Sequence, residues 1–291
     1  MKEKTLAVIK KFLPPVLVLA FVIYVIYQLF CGFFAPDELY LVKSGELEKT
    51  VLLDGYIFRD ESVIFSREGD FITTAENGKR IPAGSVVATL KDDGGVKVIS
   101  EKAGYFYDRT DGYENAFSSG AALSLTAGNF DAVVSQKPEK YEYAIGKTAV
   151  DFCFYFACKT ENFAGFALGD IYEFSFDGTK LPMTLARVDG DGKCAVLVFR
   201  CDTVRDDFAF SRQMSASVTV KKYPGDVVPK DAVKTERRLN YVYVFDDGFA
   251  IRKRVNVIYD DGELCVVEAE STLDGKFIVM GKNLYDGKVM K

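Results

Sequence analysis

The chain has 291 residues and a formal net charge of −5, with 24 Phe, 16 Tyr, no Trp and no His. Without histidine, Ser-His-Asp and Cys-His catalysis are excluded, because both use an imidazole as the general base, and so are most zinc enzymes. The charged residues are spread along the chain and form no basic stripe, so no nucleic-acid partner is predicted.

The first element in the chain is a long apolar segment. Residues 12–34, FLPPVLVLAFVIYVIYQLFCGFF, carry no charge. As a helix this segment would be roughly 35 Å long, enough to cross a hydrocarbon core of about 30 Å. Lysines precede it and two acids follow it. The positive-inside rule therefore predicts a cytoplasmic tail at 1–11, a transmembrane helix at 12–34 and an extracytoplasmic location for 37–291.

Two alternatives to a retained anchor concern the same segment. A cleaved signal peptide is disfavoured because the apolar run exceeds a typical h-region and no small-residue cleavage motif follows it. A lipid anchor at Cys31 is disfavoured because Gln28 and Phe30 occupy positions where small residues are wanted. We therefore expect a single-pass protein in the cell membrane.

The cysteines do not predict a metal site. Cys31 belongs to the apolar segment, and the spacings C-x4-C (153–158) and C-x6-C (194–201) differ from that of a zinc knuckle. We expect the exterior cysteines to be small buried hydrophobic residues. A disulfide of Cys194 with Cys153 or Cys158 remains open, because spacing cannot assign it.

The rest of the chain predicts a mainly β fold. Short apolar or alternating runs are separated by glycine and aspartate turns such as Asp177-Gly178 and Asp260-Asp261-Gly262. The stretch VDGDGKC at 188–194 lacks the later glutamate of a calcium loop and indicates a turn. Phosphate-binding glycine motifs do not occur in the sequence. No catalytic, cofactor-binding or metal-binding residue is therefore predicted.

Four pieces follow the anchor in this interpretation. Residues 50–114 are expected to form a glycine-turned β domain, and the more polar residues 115–144 a connector. Residues 145–222, rich in Phe and Tyr, are expected to form a second β domain. Residues 223–291 are expected to form a third β domain, which opens with Pro224-Gly225 and Pro229.

The segment 76–114 has the pattern of a swinging-arm carrier domain. A glycine turn and a small-residue strand lead to a hairpin near Lys91, and a second strand and another glycine follow. A carrier lysine lies between Met residues or in Asp-Lys-Ala, whereas Lys91 precedes Asp-Asp-Gly-Gly. An extracytoplasmic domain would also not meet a cytoplasmic ligase. A carrier role with a modified lysine is thus less well supported than the two functional hypotheses given below.

The order of several stretches resembles the membrane fusion (HlyD-like periplasmic adaptor) family. The stretches are GDFITTAENGKRIPAGSVVATL (69–90), VISEKAGYFYDRTDGYE (98–114), GDVVPKDAV (225–233), FAIRKRVNV (249–257) and VMGKNLYDGKVM (279–290). The resemblance covers about residues 50–291 and identifies five turn-forming residues for testing. They are Gly78, Gly84, Gly104, Pro229 and Gly281.

This resemblance implies a fold, and the sequence departs from the family pattern at one point. It implies that the transmembrane helix is followed by a barrel-sandwich hybrid (lipoyl-like) domain, a β-barrel domain and a membrane-proximal-type β domain. Family members insert a long helical hairpin between the two halves of the sandwich. Here the corresponding stretch, Lys91 to Val96, is long enough only for a tight turn. Docking to a distant outer-membrane channel is therefore not expected.

The resemblance implies a non-enzymatic, adaptor-like protein of an envelope transport or assembly complex. It would act by contact with a membrane protein or with itself, and without a cofactor. The alternative is an extracellular binding module for cell-wall polymer or peptide, which would need exposed rather than buried Tyr and Phe stripes. We further predict that valine at Gly84 or Gly104 destabilises the sandwich if these positions need a positive φ.

Overall fold

The structure is a computed structural model that describes residues 20–27, 37–91, 95–150, 153–190, 192–203, 208 and 210–290. Most of the predicted transmembrane segment therefore lies outside the described residues. Its residues 20–27 form a helix, α1, with exposed apolar side chains. Within the described ranges, no helix has both the length and the apolar character that crossing a bilayer requires.

The described residues are mainly β, as the sequence predicted. In chain order the strands are β1 Glu38–Leu41, β2 Lys43–Phe58, β3 Glu61–Phe65, β4 Phe71–Thr73, β5 Arg80–Ile81, β6 Val86–Leu90, β7 Lys97–Ile99, β8 Gly104–Tyr107, β9 Ala144–Ala149, β10 Phe154–Thr160, β11 Ile171–Phe176, β12 Thr179–Gly190, β13 Ala195–Cys201, β14 Gln213–Pro229, β15 Lys234–Glu236, β16 Leu239–Asp246, β17 Phe249–Asp260, β18 Leu264–Ala269, β19 Phe277–Met280 and β20 Lys288–Val289. The remaining helices are α2 Ser119–Leu123, α3 Phe130–Val134 and a 3-10 helix at Lys230–Ala232.

The chain divides into two compact units. Glu48–Lys222 forms the central unit, and Met1–Leu47 together with Tyr223–Lys291 forms the split unit. The finer division into 50–114, 145–222 and 223–291 stays a prediction.

Two small antiparallel sheets enclose one core of the central unit. One has the strand order β3-β9-β8-β5 and the other β4-β6-β7. Their inward side chains, including Ile64, Val87, Ala88, Phe106 and Ile145, form a single apolar cluster. Because successive side chains of a strand alternate between the faces, β3, β6, β8 and β9 each contribute only one or two buried residues to it.

A larger antiparallel sheet completes the central unit, with the order β14-β11-β12-β13-β10-β2. Strand β10 is apolar at consecutive positions because both of its faces are covered. Phe154 and Phe156 enter one aromatic core, whereas Tyr155 and Ala157 enter another. The second core includes residues of the predicted connector, since Phe117 and Phe130 pack there with the short helices α2 and α3.

The split unit is one antiparallel sheet with the order β1-β19-β16-β17-β18-β14, in which β15 pairs with β16 and β20 with β17. Val228, Val242, Val267 and Ile278 are among its core residues. The buried carboxylate of Asp226 accepts hydrogen bonds from Ser44 Oγ at 2.8 Å and from the Leu273 amide at 2.7 Å. Asp226 thus ties the loop before β19 to the start of β2.

Candidate functional site

Gly78 and Gly84, two of the five turn residues selected from the sequence, have left-handed backbone conformations. Their φ angles are +76° and +81°, in the loops before β5 and before β6. A Cβ atom at either position would meet no atom within 4 Å. The need for glycine at these two positions is therefore a matter of backbone conformation alone.

Gly104 needs the absence of a side chain for a different reason. It begins β8 and is not among the residues with positive φ, so the expected left-handed conformation is not found there. A Cβ atom would instead collide with the carbonyl oxygen of Ala149, on the neighbouring strand β9. The strands approach each other too closely for any side chain at this position.

Pro229 and Gly281 lie in the split unit, apart from the three glycines. Pro229 ends β14 with φ −60° and precedes the 3-10 helix at Lys230–Ala232. Gly281 follows β19, and a Cβ atom there would collide with the carboxylate of Asp37. That carboxylate already accepts a 2.6 Å hydrogen bond from Lys288 Nζ. The five selected residues therefore do not converge on one site, and their roles stay predictions.

The hairpin at Lys91 is short. Thr89 of β6 pairs with Lys97 of β7, and the Leu90 amide donates a 2.9 Å hydrogen bond to the Val96 carbonyl. Lys91 is exposed at the first position of the connection. The tip residues 92–94 lie outside the described residues.

The structure brings together six charged residues that sequence reasoning had not connected. We call this group the ion cluster: Arg59, Glu61, Asp111, Glu114, Lys147 and Arg212. Four stretches of the central unit supply them, namely the β2–β3 junction, the loop after β8, strand β9 and the residues just before β14. The side chains of Glu61, Glu114 and Lys147 are completely buried.

Lys147 occupies the centre of the ion cluster. Its Nζ lies 3.1 Å from Glu61 Oε2, 3.4 Å from Asp111 Oδ1 and 3.2 Å from Glu114 Oε1. The ring of Phe210 covers the ammonium, with its centroid 4.7 Å from Nζ. A lysine in this position is held by three carboxylates and one aromatic face.

Two arginines balance the remaining negative charge. Arg212 donates two hydrogen bonds to Asp111, from Nε at 2.8 Å and from Nη2 at 3.0 Å. Its Nη2 also donates a hydrogen bond to Glu61. Arg59 donates to the other oxygen of Glu61 from Nε at 3.1 Å and from Nη2. Three cations therefore face three carboxylates, and the buried group is formally neutral.

The cluster favours the ionised forms of Asp111 and Glu61. Burial opposes ionisation of Asp111, but the hydrogen bonds and charge of Arg212 and the charge of Lys147 outweigh it and lower the pKa to about 2. For Glu61 burial is again the largest influence, and the charges of Arg212, Lys147 and Arg59 overcome it and lower the pKa. Both carboxylates are therefore charged at neutral pH.

The acids Glu61, Asp111 and Glu114 have the spacing of a metal-binding group, with oxygens within 4.8 Å of one another. The Lys147 ammonium, however, already lies between them and supplies the positive charge that a metal ion would bring. The geometry is that of a salt-bridge cluster, in which the Asp111 and Arg212 side chains are 17% and 11% exposed and the other carboxylates are buried. We therefore assign it a structural role.

The sequence did contain one signal of this cluster. In the strand AIGKTA, alternation places Lys147 on the same face as Ile145 and Ala149, both of which are buried. A lysine at a core-facing position predicts a buried carboxylate partner. The identity of that partner was not predictable, because Glu61 and Asp111 are distant in sequence and only the fold brings them to Lys147.

Each unit also has a shallow cleft. In the central unit a cleft of about 690 Å³ lies between β11, β12 and β14 and is lined by Ile171, Pro182 and Lys180 among others. In the split unit a cleft of about 460 Å³ is lined by Arg238 and Arg254 on one side and by Glu268 and Glu270 on the other.

The three-stranded sheet of the central unit has three exposed apolar side chains beside its open edges. Phe71 and Ile72 of β4 are 40% and 55% exposed, and Ile99 of β7 is 50% exposed. In the described part of the chain, β4 and β7 each have β6 as their only strand partner, so both outer edges are open. An open, apolar sheet edge favours contact with another protein.

No family model and no curated protein sequence matches the chain. Solved structures similar to it include ZneB from Cupriavidus metallidurans, with 12% identity over 86% of this chain and 94% of that one at a TM-score of 0.31. MacA from Actinobacillus actinomycetemcomitans has 10% identity over 84% of this chain and 100% of that one, at a TM-score of 0.42. A membrane fusion protein from Streptococcus pneumoniae R6 has 10% identity over 60% of this chain and 100% of that one, at 0.33. The similar structures thus include a member of the family that the sequence motifs resemble.

Proposed function

We propose that this protein is a non-enzymatic, membrane-anchored adaptor that works through protein contacts in an envelope transport or assembly complex. The open three-stranded sheet carries the proposal. It presents Phe71, Ile72 and Ile99 beside two unpaired strand edges in the described part of the chain. A monomer with no partner would gain nothing from leaving these groups in water.

The chemistry of the described residues supports a non-catalytic role. The sequence has no histidine, and the most strongly perturbed carboxylates are closed in a neutral, buried cluster. Catalytic groups with shifted pKa values are normally placed in a cleft that a substrate can enter. Here the perturbed groups stabilise the fold instead.

The partner is a membrane protein beside the anchor or a second copy of the chain. In this proposal residues 12–34 cross the membrane once, with 1–11 in the cytoplasm and 37–291 outside. The stretch from Lys91 to Val96 is too short in sequence for a long extension of the sandwich, so in this proposal the partner binds close to the membrane. The binding-module alternative is less well supported, because the aromatic side chains of β10, β11 and β13 lie in the core.

Photocrosslinking in native membranes tests the proposal. A photoreactive residue replaces Ile72 or Ile99, and covalent products are recovered through a tag on the full-length chain. We expect one dominant adduct, either with a membrane protein or with a second copy. Ile171 is the matched control, because it is 69% exposed on another sheet of the same unit. Recovery of neither kind of adduct from Ile72 and Ile99, or equal adducts from Ile171, would contradict the proposal.

Membrane anchoring needs a separate measurement. Membranes from cells that express the full chain are washed with alkaline carbonate, which removes peripheral proteins and leaves integral ones. We expect the chain to stay in the pellet, and an added protease to digest residues 37–291 only from the outer side. Release into the wash would contradict the anchor without deciding the question of protein contacts.

A further inference from the structure

Among the described residues, three hairpins have two-residue turns in which both residues have positive φ. In two of them the residues are Asp177-Gly178, with φ +47° and +85°, and Asp247-Gly248, with +45° and +87°. The third joins β15 to β16, where Glu236 pairs with Leu239. Its two turn residues are Arg237 and Arg238, with φ +50° and +68°.

An arginine pair is an unfavourable choice for such a turn. A side chain in the left-handed region clashes with its own backbone, so Asn-Gly and Asp-Gly dominate these hairpins. The same chain has Asp-Gly at two other turns with similar φ angles, so its fold accommodates the less strained residue pair in a turn of this kind. Strain of this kind, held at an exposed position, points from the backbone to a use of the side chains.

The arginine turn belongs to a larger basic surface of the split unit. On β17 the exposed Lys253 and Arg254 lie beside β16, where Arg254 is paired with Tyr241. Arg252 lies over the ring of Tyr241 at 3.6 Å and bonds to Glu236 at 3.0 Å.

The cleft next to the turn is not uniformly basic. Its far wall carries Glu268 and Glu270, opposite Arg238 and Arg254. The excess positive charge is therefore concentrated at the turn itself, where Arg237, Arg238 and Leu239 are all exposed. Two arginines next to an exposed leucine form an amphipathic tip.

Strand register places this tip at a particular end of the sheet. Ile278 of β19 pairs with Val244 of β16 and also with Tyr40 of β1. Because both pairings are antiparallel, β1 and β16 run in the same direction. The chain therefore enters β1 at the end of the sheet where β16 begins, and β16 begins at the arginine turn.

The length of chain before β1 limits how far this end can lie from the anchor. Only three residue steps separate Phe34, the last residue of the apolar segment, from Asp37. Fully extended, they span about 10 Å. This is close to the Debye length of about 8 Å at physiological ionic strength, within which surface charges attract one another.

We infer that the Arg237–Arg238 tip rests on the phosphate groups of anionic lipids at the membrane surface. This inference rests on the single-pass anchor of the proposed function. The arginines bind lipid phosphates by charge-assisted hydrogen bonds, and Leu239 faces the apolar boundary beneath the headgroups. The contact would fix the orientation of the split unit relative to the membrane.

Amide hydrogen exchange of the full chain in lipid nanodiscs tests this contact. The discs contain phosphatidylcholine alone or mixed with phosphatidylglycerol, and the readout is exchange in the peptide that spans residues 236–241. We expect exchange to slow several-fold when phosphatidylglycerol is present. The protection should disappear near 1 M salt, where the Debye length falls to about 3 Å.

The double variant Arg237→Asn with Arg238→Gly should show no lipid dependence, while its turn remains suited to the hairpin. Lys79→Gln with Arg80→Gln is the matched control, because it removes the same charge from the central unit. Loss of the lipid effect in this control would attribute it to net charge and overturn the inference. Equal exchange of the native chain in both lipids would overturn it too, and leave the anchor intact. Failure to enter the discs would overturn the anchor and the inference together.

Discussion

The two units of this protein use arginine and lysine in opposite ways. In the central unit Arg59, Lys147 and Arg212 are buried and matched one for one by carboxylates. In the split unit Arg237 and Arg238 project from a strained turn into solvent. A buried charge needs an opposite charge nearby, whereas exposed charges of one sign can outnumber those of the other because water solvates them. The first arrangement serves the fold, and the second is suited to a surface.

Among the variants that test this comparison, Lys147→Met is expected to lower the free energy of unfolding most. The substitution leaves three carboxylates buried against one another with two cations instead of three. We expect the free energy of unfolding to fall by about 3–5 kcal/mol, the usual cost of breaking a buried ion pair from one side. Urea unfolding of the full chain in detergent, followed by fluorescence of the central-unit tyrosines, measures it.

Lys222→Met is the control for that experiment. Lys222 also pairs with an acid, Glu48 at 2.9 Å, but its side chain is 45% exposed. An exposed pair contributes at most about 1 kcal/mol. If both methionine variants lost the same stability, burial would not be what distinguishes the ion cluster.

Glycine substitutions separate steric from conformational constraints in the same unit. Gly104→Val should lower the free energy of unfolding by about 3 kcal/mol, since the new side chain overlaps the Ala149 carbonyl of a neighbouring strand. Gly84→Val should lower it by about 1–2 kcal/mol, because only the left-handed backbone opposes it. Thermal melting of both variants gives the order. A larger loss at Gly84 would contradict it, and unchanged melting would refute a need for glycine at either position.

The pH dependence of stability should come from the buried acids and not from the basic tip. The pKa of Asp111 is about 2 in the folded state and that of Glu61 is lowered as well, against unfolded values of about 4. The unfolded chain therefore binds more protons in this range. The stabilisation is complete above about pH 5 and is lost as the pH falls towards 2. Denaturant unfolding at several pH values should show this slope.

Asp111→Asn should flatten the acid slope, because it removes a carboxyl group whose pKa is lowered to about 2 in the folded state. The variant with Arg237→Asn and Arg238→Gly should keep the slope of the native chain. A native slope that is already flat between pH 5 and 2 would show that the ion cluster does not hold its acids ionised in the folded state.

The sequence was sufficient for the β class and for the turns. The Asp-Gly pair at 177–178 predicted a turn, and the structure has a two-residue turn there. This prediction is local, because a turn depends on the backbone preferences of its own residues. The sequence did not predict that both faces of β10 are covered.

The ion cluster and the basic tip were not predictable in the same way. Lys147 meets Glu61 across 86 positions of sequence and Arg212 meets Asp111 across 101, so only the fold brings them together. The arginine turn was missed because Arg-Arg carries none of the composition that marks a two-residue turn. At Gly104 the predicted residue is required for a steric reason that depends on a distant strand.

The smallest expected effect concerns the turn itself. Replacing Arg237 and Arg238 by Asn and Gly should raise the free energy of unfolding by up to about 1–2 kcal/mol, because it relieves two left-handed arginines. The reciprocal change, Asp247→Arg with Gly248→Arg, should lower it by a similar amount in the same kind of turn. Thermal melting of both double variants in detergent measures the pair. If the Asn-Gly variant is more stable and no longer responds to anionic lipid, removing the arginines improves the fold and abolishes the surface contact. The exposed arginines would then serve membrane contact, unlike the buried charges, which serve stability. A destabilised variant would instead place the arginines among the residues that hold the split unit together.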